Sequence, residues 1–258
     1  MLAVRALMLS LFIVPTVAGA KLPEGMLEDT VAFDRALIPA LFHAYNGQVE
    51  RTGEALREAW KHWDHIATQY ADGPKRDEFW VHDFTRIEDR LRRAQVGLTA
   101  GSTKMAYVDL GVIPGILLEI RQRHNQKHYV DGLAPFYGVL QGIVRRLERR
   151  PLDRMDLRDL DTLRSSSDAA RYRWVEATAV PPDAALFGLD EAALDQVEVM
   201  EARVREALDA LEGALSVKDG VRAKESALAA QLRFWDLYKS FGNFETPDGG
   251  EGEDHGSE

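Results

Sequence analysis

The sequence predicts an all-α protein, an up-and-down helical bundle of seven or eight helices. Three observations carry that expectation. Apolar residues recur at three- and four-residue spacing through most of the chain, no stretch sustains the alternation of a strand, and the breaks fall at Gly, Pro and Asn. With 258 residues, 45% of them apolar and 29% charged, the chain is long enough to bury a sizeable core.

Taken in order, residues 1–20, MLAVRALMLSLFIVPTVAGA, have the layout of a signal peptide. Arg5 supplies the positive start, residues 6–18 the apolar core and Ala18-Gly19-Ala20 the small-residue cleavage site. The apolar run is shorter than the roughly 20 residues a spanning helix needs, and Pro15 interrupts it. The expected mature chain starts at Lys21, has no membrane span and works outside the cytoplasm, in the periplasm or beyond.

Phe33, Leu37, Leu41 and Ala44 set a helix over about 28–46, stopped by Asn46-Gly47. Leu56, Trp60, Trp63, Ala67 and Tyr70 set one over 49–71. After the turn Ala71-Asp72-Gly73-Pro74, Trp80, Phe84, Ile87, Leu91, Ala94 and Leu98 set a third over 77–99. Ser102 caps a fourth that runs to about His124 with a kink at Pro114. Leu133, Phe136, Leu140, Ile143 and Leu147 set a helix over 132–150. Asp153 opens another over 154–178, which the run Ser165-Ser166-Ser167 threatens to break. Pro181-Pro182 is the clearest linker, and two strongly periodic helices follow over 189–216 and 219–242. The organisation expected is a helical bundle module over 21–180, a C-terminal helical hairpin over 181–244 packed on it, and a disordered acidic tail over 245–258, ETPDGGEGEDHGSE.

Two internal similarities leave a pair of packed four-helix modules open beside a single irregular bundle. Asp34 and Asp109 each precede a proline, Pro39 or Pro114, by five residues, in stretches offset by 75. Val49, Ala55, Leu56, Trp63 and Asp64 recur as Val221, Ala227, Leu228, Trp235 and Asp236. A helix-interior proline costs about 3 kcal/mol and frees the carbonyl four residues back. Here those carbonyls belong to Arg35 and Leu110, and each Asp is a candidate for an N-cap that would lower the cost.

Zero cysteines exclude disulfides, thiolate metal sites and c-type haem attachment. The formal net charge of −10 argues against nucleic acid as a partner. Charge is unevenly spread: residues 189–258 hold 17 acidic against 7 basic side chains, residues 86–154 hold 7 against 13. No G-x-S-x-G, phosphate-binding glycine loop or dinucleotide fingerprint occurs, so an enzyme is the weakest reading.

Histidine placement gives the one chemical lead. With the turn at 71–74, His65 and His82 fall at equal height on antiparallel helices, and His62 lies one turn from His65. Glu119 reaches the same level from the fourth helix. Imidazoles and a carboxylate on facing bundle helices suit zinc, copper or nickel. His124 and His128 form a second pair at H-x3-H spacing, read as a solvated helix end. The leading expectation is therefore an exported, non-enzymatic binding protein holding a transition metal through His62, His65, His82 and Glu119. The alternative is a metal-free periplasmic interaction or adaptor module, docking a protein partner through an Arg-rich surface that includes Arg90, Arg93, Arg146 and Arg150.

Overall fold

In this computed structural model residues 21–74 and 77–244 are described; the segment expected to be a signal peptide, 1–20, and the acidic tail expected to be disordered, 245–258, lie outside them. Among the described residues, nine α-helices of eight residues or more make up the fold: α1 Met26–Tyr45, α2 Val49–Gln69, α3 Trp80–Thr99, α4 Thr103–Leu110, α5 Ile113–Arg123, α6 Tyr129–Arg149, α7 Leu157–Ala177, α9 Glu191–Ser216 and α10 Gly220–Lys239. One turn of helix, α8 Ala184–Phe187, and a 3-10 turn at Leu152–Arg154 complete it, with no strand among the described residues. The all-α bundle is the expected fold. The ninth helix arises because the fourth expected helix is not kinked but cut, between Leu110 and Ile113.

Local chemistry explains the ends. Asp156, Asp183, Asp190 and Asp219 cap α7, α8, α9 and α10, each accepting from a backbone N–H in the first turn. The serine run does not break α7, since Ser166 turns its hydroxyl back to the Thr162 carbonyl at 2.8 Å and leaves the ladder intact. α3 starts three residues later than expected because Asp77 is held in the loop, where its carboxylate accepts from the Phe79 N–H at 3.0 Å. At the α2–α3 turn the Trp80 indole donates to the Tyr70 carbonyl at 2.8 Å. Gly73 lies beneath that ring with φ +53°, and a Cβ there would meet it at 2.3 Å.

The two Asp-x4-Pro stretches fold differently. Neither Asp is an N-cap. Pro39 lies inside an uninterrupted α1, whereas Pro114 sits in the first turn of α5. The Arg35 carbonyl that Pro39 leaves free accepts instead from the Asn243 N–H, at 2.8 Å. The chain after α10 gets that close because residue 242 is glycine: a Cβ there would lie 2.8 Å from Ile38 Cγ2.

Helix contacts form two sets. In the first, α1 packs on α2 and α4, and α3 on α2, α4 and α5; in the second, α6 packs on α7 and α10, and α9 on α7 and α10. The hairpin α9–α10, beyond Pro181-Pro182, thus closes onto α6 and α7. The first set is filled by Trp63 against Phe33 and Phe84, the second by Phe136 against Trp174 and Phe234. The sets meet in a joint where α5 touches α6 and α1 touches α8 and α10.

Candidate functional site

The four residues proposed for a metal do not converge. His65 reaches back to α1, its Nε2 3.3 Å from Asp29 Oδ2, and that carboxylate also accepts from the Tyr70 hydroxyl at 2.6 Å. His62 lies 3.7 Å from Glu58 on its own helix, and His82 stands exposed on α3. Glu119 on α5 accepts from Arg86 Nη1 at 2.7 Å. Among the described residues no group of three or more His, Asp or Glu is placed to hold a metal ion. The reason is rotational. An antiparallel hairpin fixes the height of two residues but not the faces they occupy, and α2 turns His65 toward α1 rather than α3.

His124 and His128 are not a solvated helix end either. They close α5 and open α6 respectively, and both are buried. His124 Nε2 is 2.9 Å from Asp77 Oδ2, with its ring edge-on to Trp80. Asp77 also accepts from Arg123 Nε at 3.2 Å, and Arg123 Nη2 extends the network to Asp83 at 2.5 Å. This network ties the loop before α3 to the end of α5.

Half of the arginines singled out on the surface are paired within the fold. Arg90 donates to Asp109 at 2.8 Å, and Arg150 pairs with Asp159. Arg93 and Arg146 have no carboxylate partner among the described residues. Arg146 is the unusual one: its Nη1 is enclosed and makes no hydrogen bond. It lines a groove of about 400 Å³ between α6 and α7, together with Gly138, Gly142, Thr162, Ser165 and Ala169.

The joint holds two polar clusters that the sequence did not assemble, although it had singled out Asp34 and His128 for other reasons. At one, Tyr137 of α6 accepts from Gln231 Nε2 at 3.2 Å and Trp235 Nε1 at 3.1 Å, both on α10, and bonds the Tyr107 hydroxyl of α4 at 3.1 Å. Burial raises the Tyr107 and Tyr137 phenols, so both stay protonated.

At the other, Arg121 of α5 donates through Nη2 to Asp34 of α1 and through Nη1 to Asp131 of α6, each at 2.6 Å. Arg121 is 1% exposed, Asp34 3% and Asp131 6%. His128 stacks on Phe187 with centroids 5.1 Å apart, and its Nε2 stops 3.9 Å from Asp34 Oδ2. Three atoms of this cluster have no hydrogen-bond partner: Arg121 Nε, Asp131 Oδ2 and His128 Nε2. Burial pushes the Asp131 carboxyl up to about 6, against Arg121 and with help from Asp34. Burial likewise raises Asp34 despite Arg121. Burial and the nearby guanidinium press His128 down to about 3. The sequence did carry a signal here: Asp34, Arg121 and Asp131 lie in phase with apolar stripes, where a charge must find a partner.

No protein family, characterised protein or solved structure matches the chain.

Proposed function

We propose that the protein is a non-catalytic, exported interaction module that receives an acidic segment of a protein partner along α6. The reading rests on Arg146, a guanidinium with an enclosed, unbonded Nη1 in the wall of the α6–α7 groove. A buried donor without an acceptor is costly, and a carboxylate is the acceptor that suits a guanidinium best. Nothing within 4 Å occupies the positions that Cβ atoms at Gly138 and Gly142 would take, so backbone is accessible on that side of α6. Arg149, one turn of helix away, has no carboxylate partner among the described residues, and Arg145 bonds the Gln141 carbonyl of its own helix at 3.3 Å. Both can add long-range attraction for an acidic chain.

The probe is a fluorescein-labelled oligoglutamate peptide titrated against the full chain at low salt. Binding is expected to weaken at least tenfold in Arg146→Ala and to persist in Arg171→Ala, whose side chain pairs across to α9. Equal affinity in both variants would refute the groove as the docking site. Residues 245–258 are themselves acidic, so a chain ending at Phe244 tests whether they compete for it. Export has its own readout: N-terminal sequencing of the secreted protein should begin at Lys21, and recovery of Met1 would count against it.

A further inference from the structure

We propose that the joint between the two helix sets closes by giving up one proton from His128 and taking up one on the Asp34–Asp131 pair. The two sets then hold together with little sensitivity to mild acid.

The groups facing this point come from four helices and the cap of α8. Asp34 stands on α1, Arg121 on α5, His128 and Asp131 at the start of α6, Asp183 at the cap of α8 and Tyr238 on α10. With both carboxylates ionised, Arg121 charged and His128 neutral, the buried cluster carries one surplus negative charge. Low-dielectric surroundings penalise that surplus, and two carboxylates sharing one guanidinium resist ionising together. Asp131 Oδ2 makes no hydrogen bond, so a proton placed there breaks none. Asp34 has no such freedom at Oδ2, which holds Arg121 at 2.6 Å.

The imidazole has the opposite constraint. Its Nε2 is buried without a partner, its ring lies on Phe187, and an imidazolium would sit beside the Arg121 guanidinium. Closing therefore favours a neutral His128 and one proton on the carboxylate pair. When the joint opens to water, the imidazole titrates near its ordinary value of about 6.5 and the carboxylates near about 3.9. Between roughly pH 4 and 6 the open state holds its proton on His128, and the closed state holds one on the pair. Water accepts the first and supplies the second, so the number bound hardly changes and the equilibrium is nearly flat in pH.

Removing either partner exposes the other. In Asp131→Asn the closed state binds no compensating proton, while the open state still protonates His128. Its unfolding constant, relative to the parent, should rise up to about tenfold per unit as pH falls from about 6 to 4. In His128→Gln only the uptake by the carboxylates remains, and the relative unfolding constant should fall by up to the same factor. Urea titrations of the full-length chain at pH 4.5, 5.5, 6.5 and 7.5 read both slopes. Slopes of the same sign in the two variants, or slopes parallel to the parent, overturn the proposal. Should Asp131→Asn not fold, carbon and nitrogen NMR of the parent at pH 5 decides instead. A neutral His128 ring with a protonated carboxyl on the pair is expected, and an imidazolium with both carboxylates ionised would sink it.

Discussion

The two ends of the joint use polar groups in opposite ways. At the Tyr137 end every group is neutral, and one phenol oxygen gathers the Gln231 and Trp235 donors while bonding Tyr107. At the Arg121 end two carboxylates and one guanidinium are buried together, and three polar atoms go without partners. Neutral hydrogen bonds adjust by rotating a hydroxyl, whereas buried charges must balance or take up protons. The neutral end therefore contributes specificity at modest risk. The charged end is where a single substitution has the largest consequence.

That contrast can be broken most forcefully at Arg121. Arg121→Met leaves Asp34 and Asp131 buried without a cation, and stability at pH 7 should drop by about 3–5 kcal/mol. A urea midpoint within error of the parent would show that the carboxylates find water instead. Beside this cluster, Gly242→Val presses against Ile38 and withdraws the Asn243 N–H from the Arg35 carbonyl. Overpacking of that kind costs about 1–3 kcal/mol, and exchange of the Asn243 amide should quicken with it; unchanged protection would separate the two effects.

At the neutral end Tyr137→Phe strands the Trp235 and Gln231 donors, with an expected cost of about 1–3 kcal/mol. Unlike the Arg121 cluster, its effect should be the same at pH 5 and pH 8, because the phenols do not titrate in that range; a pH-dependent cost would erase the distinction between the two ends. The smallest effect belongs to the surface. Arg171 pairs with Asp209 and Glu212 in full view of solvent. Its replacement by alanine should change stability by no more than about 1 kcal/mol, less still at high salt. A larger loss would mean that α7 and α9 depend on their outer pairs more than on Leu163, Trp174 and Leu208 beneath.

Much of the fold was legible in the chain. Leu56, Trp63, Leu91, Phe136, Leu140 and Leu147 are all buried, as helical spacing requires, because a helix against a core must keep its apolar residues on one face. Pro39 and Pro114 were recognisable as costly, but not the remedy each received. The Arg35 carbonyl is satisfied from residue 243, far along the chain and beyond any local pattern. The candidate site was less legible. Equal height on a hairpin suggested that His65 and His82 share a ligand, yet height constrains one coordinate and rotation another. His65 pairs with Asp29 because α1 lies on that side of α2.

The sequence by itself determined most of the helices and which stripes turn inward, since these follow from spacing and turn chemistry within a few residues; the cut between Leu110 and Ile113 and the late start of α3 at Trp80 were not among them. The tertiary structure alone decided which buried charges meet. Asp34 and Arg121 are 87 residues apart and Arg121 and Asp131 only 10, yet one guanidinium holds both carboxylates at the same distance. Pairing of that kind depends on how α1, α5 and α6 rotate and cross. Those rotations are set by the packing of the whole core rather than by any local pattern, so the chemistry at the joint emerges only once both helix sets are in place.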